Sequence, residues 1–386
     1  MTAPAPPLGR GGGGHIAALD GLRLAAFLLV LVHHLPVAVD SAALRSVQLR
    51  GWVGVELFFV LSAYLFFHHF RREWARTGGI SLGRFWLRRL LRLYPLMIGF
   101  PLAAMLLWGH PGAEAWLRLA GLALFADNVI AWFARYNGAI PDAPHLWTLS
   151  FEFQLYLVIP FAFLAFMRLG WRRFVLGLGA VWLFCTALRL VVAGLGAPHP
   201  VVWVTPFLRP DTVLVGMLLG TLVPTDGRLR LPMPGLLAAG AAVLAAGAVF
   251  FQLPVLFEFA GAASVYPVAA LLCGGLLVLA LGWAPLRGAL AATPVAYLGR
   301  ISFGLYVYHL LAVRLVLLAL PVPAGQFVGW GAYGLRFAAT LGLTTAMAAA
   351  SYHLLERPFL RLKDRLHGPE GAAAPDVRGM RASPVP

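Results

Sequence analysis

The hydrophobic positions of this chain are gathered into long runs, separated by short segments rich in Arg, Pro and Gly. A helix needs about 20 mainly apolar residues to cross a hydrocarbon core about 30 Å thick. Runs of that length are centred on 20–38, 52–69, 92–109, 147–167, 173–193, 205–223, 233–251, 262–282, 297–318 and 331–354. The pattern predicts an all-α polytopic membrane protein with about ten transmembrane helices.

The distribution of basic residues predicts an orientation for these helices. Short cytoplasmic loops of membrane proteins carry an excess of Lys and Arg. With ten spans, one side of the membrane collects 22 of the 30 basic residues, including the run from Arg71 to Arg92 and the six after residue 356. We therefore expect that side to be cytoplasmic and to hold both termini.

An eleventh apolar stretch, 116–133, is interrupted by Arg118, Asp127 and Asn128. Ionisable side chains are costly inside a bilayer, and an eleventh full span would break the alternation of basic loops. This stretch is predicted to be interfacial or re-entrant.

The composition excludes a soluble enzyme. With 60% hydrophobic residues, 12% charged residues and a mean hydropathy of +0.81, a compact globule would lack the polar groups to cover itself. The net charge of +15 could suggest nucleic acid, but the basic residues are scattered between apolar runs. We expect membrane lipids as partners and no nucleic acid. The Arg-, Ala- and Gly-rich usage is typical of a GC-rich bacterium, so the predicted location is the bacterial inner membrane.

The two ends of the chain differ from the rest. Residues 1–16 are rich in Gly and Pro, and 362–386 are rich in Gly, Ala and Pro. Both are predicted to be disordered tails flanking one membrane domain, 17–361.

The first predicted span carries Arg23, His33 and His34. At about 100° per residue, Arg23 and His34 lie within about 20° of one helix face and roughly 16 Å apart along the axis, whereas His33 points about 80° from Arg23. Arg23 would then lie at the cytoplasmic mouth and His34 past the midplane. Alternatively, Arg23 anchors the helix at the headgroups and both histidines are interfacial.

A cluster of arginines lies in RFWLRRLLRLYP, residues 84–95. Arg84, Arg88 and Arg92 recur at i, i+4 and i+8, and Arg89 is three residues from Arg92. Guanidinium groups suit phosphate oxygens, so this stripe could hold a phosphorylated donor at the cytoplasmic entrance. Ordinary topology bias and contact with lipid headgroups are the alternative.

Two carboxylates fall inside predicted spans. Glu152, in PHLWTLSFEFQLYLVIP, has Tyr156 one helical turn later, and the two could line one cavity wall. Glu56 lies in GWVGVELFFVLSAYLF. Each could instead be neutralised or paired with an arginine, and for Glu56 the structural ion pair is favoured.

Two further polar patterns lie near the end of the membrane domain. Ser302, Tyr306 and His309 form a stripe at i, i+4 and i+7, which more often joins helices than carries out chemistry. For His353 and Glu356, spaced i and i+3, helix termination and an ion pair suffice as an explanation.

In their order, these segments resemble the blocks of the acyltransferase 3 family of integral membrane acyltransferases. The resemblance covers about residues 17–361 and rests on LDGLR followed by His34, GVELFFVLSAYL, RFWLRRLLRLYP, WTLSFEFQLYL, ISFGLYVYHLL and LERP. It implies transfer of an acyl group, usually acetyl, from a cytoplasmic coenzyme A thioester to a hydroxyl of a carbohydrate-containing acceptor. Acyl-coenzyme A would be a co-substrate, and no metal is implied.

The resemblance also assigns residues. The family's functional arginine, histidine and R-x-x-R pair match Arg23, His34, Arg89 and Arg92, and its acidic residue matches Glu152. The chain departs from the family at Glu56 (usually Asp), Ala63 (Gly), Thr148 (Ser) and Phe153 (a second Glu). Phe153 suggests that the second carboxylate is dispensable or that the acceptor differs.

The resulting expectation is a membrane O-acyltransferase. His34 would act as general base or as a transient acyl carrier, and Glu152 would orient a tautomer of His34 or bind acceptor hydroxyls. The donor phosphates would be held by Arg23, Arg88, Arg89 and Arg92. The expected acceptor is an envelope or extracellular polysaccharide. The alternatives are a small glycosylated metabolite as acceptor, or a non-catalytic transporter or flippase of a glycosylated lipid.

Overall fold

The computed structural model describes residues 15–37, 39–108, 111–134, 136–254, 259–322 and 327–359. All regular elements in these ranges are helical, which confirms the all-α prediction. The predicted tails, 1–16 and 362–386, lie outside the described residues except for 15 and 16.

The α-helices of the described ranges are α1 (Ala17–His34), α2 (Ala42–Arg50), α3 (Val53–Thr77), α4 (Leu82–Trp108), α5 (Ala113–Ala123), α6 (Asp127–Ile130), α7 (Trp147–Gly194), α8 (Val201–Val204), α9 (Asp211–Leu222), α10 (Met233–Gln252), α11 (Phe259–Gly282), α12 (Ala284–Leu290), α13 (Thr293–Arg300), α14 (Ser302–Ala319) and α15 (Trp330–Ser351). Short 3-10 turns cover Pro144–Leu146 and Pro206–Leu208, and a π-helical turn, Tyr352–Glu356, continues α15.

Seven segments of the described chain are long and apolar enough to cross a membrane. They are Ala17–His34, Ala42–Thr77, Leu82–Trp108, Pro144–Gly194, Met233–Gln252, Gly261–Gly282 and Ser302–Ala319. The expectation of a polytopic membrane protein is therefore supported. The count of ten spans and the cytoplasmic position of both termini stay predictions.

Helix α7 explains part of the difference between the ten predicted spans and the seven segments found. As one straight helix its 48 residues would extend about 72 Å, more than twice the hydrocarbon thickness. The helix is broken at Gly170, whose φ of 75° and ψ of 167° glycine adopts at little steric cost. The break lies between the two spans predicted at 147–167 and 173–193.

Two predicted apolar stretches form helices shorter than a span. The stretch 116–133 contains α5 and α6, and the 11 residues of α5 rise only about 16 Å, in keeping with the expectation that it does not cross. The stretch 205–223 contains the 12-residue α9. Pro206 and Pro210 delay the start of α9, since proline lacks the amide that a helix interior needs.

Helix α3 lies at the centre of the bundle and packs against α1, α7, α9 and α11. Glycines allow the closest approaches: a Cβ at Gly216 of α9 would lie 2.5 Å from the carbonyl oxygen of Val60. Such close contact between helix backbones is typical of membrane bundles, where small residues line the interfaces. The tight packing brings the polar faces of α1, α3, α4, α7 and α14 around one interior space.

Candidate active site

Seven of the residues predicted for the site line one interior cavity. Its volume is about 670 Å³, including the part open to solvent. The seven are Arg23, Arg89, Arg92, Glu152, Tyr156, Ser302 and Tyr306. Ser62 and Thr148 add hydroxyl groups to the wall, and the remaining lining is largely aromatic and aliphatic. The fold thus gathers charged side chains from α1, α4 and α7 in one apolar surrounding.

Arg23 enters the cavity from the first helix, close to its amino end. Its Nη1 donates a 3.0 Å hydrogen bond to Oδ1 of Asp20, one turn earlier on α1. Asp20 is buried, and its other oxygen lies 2.7 Å from Nε2 of His15. Asp20 was not among the predicted site residues, although the i, i+3 spacing to Arg23 in LDGLR was a signal for this pair.

Arg89 and Arg92 line the cavity from α4, with Arg89 held among aromatic rings. Its guanidinium carbon lies 4.8 Å from the ring centre of Phe66, 5.6 Å from that of Phe85 and 6.0 Å from that of Tyr156. These distances are typical of cation–π contacts. The rings fix the orientation of this guanidinium without consuming its in-plane hydrogen-bond donors.

Of the predicted stripe of Arg84, Arg88 and Arg92, only Arg92 lines the described cavity. In the described structure Arg84 is exposed and Arg88 is absent from the cavity lining. Phe85 is buried against the bundle, and in an α-helix Arg89 and Arg92 share its face more closely than Arg88 does. The R-x-x-R pair, rather than the longer stripe, therefore faces the cavity.

Glu152 is bound by hydroxyl groups of the cavity wall. The hydroxyl of Ser62 donates to its Oε1 at 3.1 Å, and Tyr156 donates to the same oxygen at 2.5 Å. The described contacts of the His34 ring are with Val30, His33 and His309 rather than Glu152, and a role of Glu152 in orienting a tautomer of His34 stays a prediction. The hydroxyl of Ser62, from LSAYL, was not predicted, and only its place within an apolar run distinguished it.

Two hydroxyl groups close one end of the cavity. The oxygens of Thr148 and Tyr306 lie 2.9 Å apart. Thr148 also donates to the carbonyl oxygen of His145 at 2.9 Å, and Tyr306 lies 3.3 Å from the same carbonyl. Tyr306 therefore belongs to the cavity wall, and the backbone of the residues before α7 holds its hydroxyl.

His34 lies behind this wall, within a cluster of four imidazoles that also contains His33, His145 and His309. Its Nδ1 is 3.0 Å from the Val30 carbonyl oxygen and 3.2 Å from Nε2 of His309. The rings of His309 and His145 are 4.7 Å apart between centres, and both side chains are buried. His145 was not predicted, although it lies inside the PHLWTLSFEFQLYLVIP segment.

This position of His34 alters the expected arrangement. His34 is half-buried at the end of α1 with its ring packed against protein, but it does not line the described cavity. Packed side chains, from Tyr306 to His309, connect the cavity wall to the His34 ring. His34 and the arginines therefore do not line the same described cavity.

The neighbouring His33 faces a different element. Its Nδ1 lies 2.7 Å from the carbonyl oxygen of Gln48 on α2, whereas His34 contacts His309 on α14. The two adjacent histidines thus have separate hydrogen-bond partners, although their rings pack edge-on with centres 4.9 Å apart.

Glu56 lies outside the cavity in a buried ion pair. One of its oxygens is 3.1 Å from Nη2 of Arg209, and the hydroxyl of Thr212 donates to the other at 2.6 Å. A second buried pair joins Arg189 and Asp211 at 2.6 Å. The ion pair favoured for Glu56 is present, but the sequence did not reveal which arginine would supply it.

The other positions outside the cavity have structural partners. Phe153, at the site of the family's frequent second Glu, stacks on Phe125 with ring centres 3.6 Å apart. The expected ion pair of His353 and Glu356 is wrong: His353 is exposed beside Tyr297, whereas Glu356 is buried. Burial raises the pKa of Glu356 to about 7, and the positive charge of Arg92 opposes this rise.

Among the described residues, no three His, Cys, Asp or Glu side chains are placed to hold one metal ion. The polar groups that line the cavity are guanidinium, carboxylate and hydroxyl groups, and the imidazole cluster lies behind Tyr306.

Comparison with known proteins agrees with these features. A family model described as an acyltransferase domain matches residues 16–351. The chain is 29% identical over 188 residues to the peptidoglycan O-acetyltransferase OatA of Listeria monocytogenes, a match covering 44% of this chain and 29% of that protein. It is 28% identical over 219 residues to the O-acetyltransferase OatA of Staphylococcus aureus, covering 54% of this chain and 35% of that protein. The chain thus spans about a third of these relatives' length. No solved structure matches it.

Proposed function

The chain belongs to the acyltransferase family whose model covers residues 16–351, and from this membership we propose that it transfers an acetyl group from cytoplasmic acetyl-coenzyme A to a hydroxyl of an envelope polysaccharide. Membership confirms the expectation of an acyltransferase, and the relatives identify an O-acetyltransferase-like enzyme. Donor, acceptor and residence in a bacterial inner membrane are parts of the proposal.

The observation that carries the proposal is the convergence of three arginines in one apolar cavity. Arg23, Arg89 and Arg92 come from two different helices and face the same space. Cations inside a membrane bundle are costly and usually mark a pathway or a ligand site. Coenzyme A is anionic through its phosphates, and planar guanidinium forks bind phosphate oxygens in a bidentate manner. These three arginines are therefore proposed to hold the donor.

The lining of the cavity supports a donor whose reacting end enters the bundle. Guanidinium groups and an aromatic wall share one interior space that is partly open to solvent. The narrow pantetheine arm would run along the aromatic wall towards Thr148 and Tyr306. Phosphates at the arginines would leave the thioester near the opposite end.

The chemistry is proposed to occur at His34. The imidazole takes the proton of the acceptor hydroxyl as its oxygen attacks the thioester carbonyl carbon; the carbon–sulfur bond then breaks and coenzyme A leaves as a thiolate, which takes up that proton. Alternatively, a ring nitrogen of His34 attacks the carbonyl carbon and coenzyme A leaves as a thiolate; the acceptor oxygen then attacks the same carbon, the carbon–nitrogen bond breaks, and the hydroxyl proton passes to the thiolate. Both sequences use one imidazole nitrogen.

Access to His34 requires a movement of the wall. Tyr306 and Thr148 close the cavity on the side of the histidine cluster, with their hydroxyl oxygens 2.9 Å apart. The donor thioester reaches His34 when this contact opens. Glu152, held by Ser62 and Tyr156, would then remain in the cavity and bind donor or acceptor hydroxyls rather than His34.

A carbohydrate acceptor is favoured by the relatives. One of them is named a peptidoglycan O-acetyltransferase, so a glycan hydroxyl is the first acceptor to test. The assay would use the purified full chain in lipid nanodiscs with radiolabelled acetyl-coenzyme A and fractionated bacterial glycans. Transfer of label to a glycan is the expected result.

The adjacent histidines offer a matched pair of variants for this assay. His34→Ala should lower transfer by about 10² to 10⁴-fold, the usual worth of a general base, while expression and donor binding stay close to wild type. His33→Ala should retain more activity than His34→Ala, because Nδ1 of His33 lies beside the Gln48 carbonyl on α2 and its ring only packs edge-on against the His34 ring. Retained turnover in His34→Ala would exclude His34 from the reaction, and glycolipid movement without coenzyme A would favour a transporter.

A further inference from the structure

His309 is buried on α14 beside His34, and the hydrogen bonds around these two rings fix their protons. Nδ1 of His309 lies 2.6 Å from the carbonyl oxygen of Tyr306. A carbonyl oxygen can only accept, so Nδ1 of His309 carries the hydrogen. In a neutral imidazole the other nitrogen is then an acceptor, which leaves Nε2 of His309 free to receive a hydrogen bond.

The same reasoning applies to His34. Its Nδ1 lies 3.0 Å from the carbonyl oxygen of Val30, so that nitrogen also carries a hydrogen. This hydrogen is shared with Nε2 of His309, 3.2 Å away. Both contacts require the same tautomer, and Nε2 of the neutral His34 ring is consequently the nitrogen with a free lone pair.

We propose that His309 is a positioning residue that holds His34 with Nδ1 protonated, so that Nε2 is the atom that takes the hydroxyl proton or the acyl group. The proposal rests on the proposed function, which assigns the reaction to His34. It applies to both sequences of chemistry, since each needs one unprotonated ring nitrogen.

The surroundings of His309 suit a residue that fixes the orientation of the His34 ring, rather than one that relays a proton. The side chain is fully buried, its ring meets Phe27 edge-on, and the ring of His145 packs against it. The hydrogen on its Nδ1 ends at the Tyr306 carbonyl, which cannot take up a proton and pass it on. When His34 becomes positively charged, its Nδ1–H bond to His309 becomes charge-assisted and stronger. His309 therefore acts through His34 and does not itself contact the reacting atoms.

Two substitutions of His309 distinguish the effect of its hydrogen-bond acceptor, Nε2, from the effect of the size of its ring. His309→Gln places an amide oxygen near the position of Nε2 and can still accept from His34. His309→Asn is shorter and retains a polar group only near the position of Nδ1. His33→Asn makes the latter change on the neighbouring histidine, whose Nδ1 lies beside the Gln48 carbonyl and whose ring packs edge-on against His34, and it controls for the loss of a ring at the end of α1.

The assay measures kcat and the donor KM of each variant in nanodiscs. His309→Asn should lower kcat about tenfold, the worth of one hydrogen bond of about 1.4 kcal/mol, with the donor KM unchanged. His309→Gln should recover most of this loss, and His33→Asn should resemble wild type. Equal activity of the Asn and Gln variants, whether impaired or normal, would overturn the role of His309.

A spectroscopic measurement on the wild-type chain keeps the proposal open to refutation even if His309 variants fold poorly. Long-range proton–nitrogen correlation spectra of protein labelled with ¹⁵N-histidine distinguish the two tautomers, and the His34 signals are those lost in His34→Gln. The expected spectrum has His34 protonated at Nδ1. Protonation at Nε2 would overturn the inference while leaving the proposed function intact, whereas normal turnover by His34→Ala would overturn both.

Discussion

Two groups of arginines lie inside this helical bundle, and their surroundings differ. Arg23, Arg89 and Arg92 line a cavity that opens to solvent. Arg189 and Arg209 are completely buried and lie 2.6 and 3.1 Å from the carboxylates of Asp211 and Glu56.

Arg209 shows how a charge is accommodated without a cavity. Its guanidinium carbon lies 4.4 Å from the ring centre of Trp203 and 5.2 Å from that of Phe151, besides the ion pair with Glu56. Removing a charge from water is costly, and a carboxylate with good geometry offsets that cost. The comparison teaches that a charged residue in an apolar segment does not by itself mark a functional site. The open space in front of the charge distinguishes the cavity arginines.

The largest expected effect is on stability, and it tests the buried arginines Arg189 and Arg209 through a substitution of Arg209. Arg209→Met should destabilise the protein by about 3–5 kcal/mol, because it leaves Glu56 buried without its cation. The thermal unfolding midpoint in detergent measures this loss. Adding Glu56→Gln should recover part of it by removing the unpaired charge. If Arg209→Met stayed as stable as wild type but lost acyl transfer, Arg209 would belong with the cavity group.

An intermediate effect concerns Glu356, a buried carboxylate near the cavity residue Arg92. Its pKa of about 7 in the folded protein lies above the ordinary glutamate value. The folded state therefore favours the protonated form, and the stability this provides is present at acid pH and is lost as pH rises through about 7.

Glu356→Gln should remove this pH dependence. At about pH 8.5 the variant should be more stable than wild type by up to about 3 kcal/mol, and at about pH 4.5 the two should be similar. Unfolding midpoints at both pH values measure the difference. Glu114→Gln, at an exposed position on α5, is the control. A stability difference of the same size at both pH values would contradict the raised pKa.

The smallest effect tests the cavity group through the donor. Arg89→Ala and Arg92→Ala should each raise the donor KM roughly 30-fold, or about 2 kcal/mol, the worth of hydrogen bonds to a charged group. Arg88→Ala should change it little, because Arg88 does not line the described cavity. Initial rates over a range of acetyl-coenzyme A concentrations measure KM. With acetyl-pantetheine, which lacks the nucleotide, the three variants should have the same donor KM. An equal rise in KM for acetyl-coenzyme A and acetyl-pantetheine would exclude phosphate binding by these arginines.

Much of the fold could be predicted because local sequence controls it. A long apolar run can only satisfy its backbone hydrogen bonds in lipid as a helix, which is why α1, α3, α4 and α10 agree with predicted spans. The break of α7 at Gly170 fits the prediction of two consecutive spans. The helix in segment 205–223 is shorter than predicted because prolines postpone the start of α9, although most residues of the segment are apolar.

The candidate site was predicted unevenly. Arg23, Arg89, Arg92 and Glu152 could be named because charge in an apolar run is visible along the chain, and the cavity contains all four. Arg88 does not line the described cavity, and an i, i+4 stripe does not reveal which side of α4 meets the bundle. Ser62 and His145 carried no local signal strong enough to separate them from ordinary polar residues of a helix bundle.

The sequence by itself determined the helical class, the long apolar segments and which residues are ionisable within them, because these depend on side-chain chemistry and on positions near one another in the chain. Only the tertiary structure decided which charges face an open cavity and which are closed in ion pairs. Arg209 meets Glu56 across more than 150 positions of chain, and His309 meets His34 across 275. Contacts over such distances depend on how helices pack in three dimensions, and no periodicity within one helix encodes them.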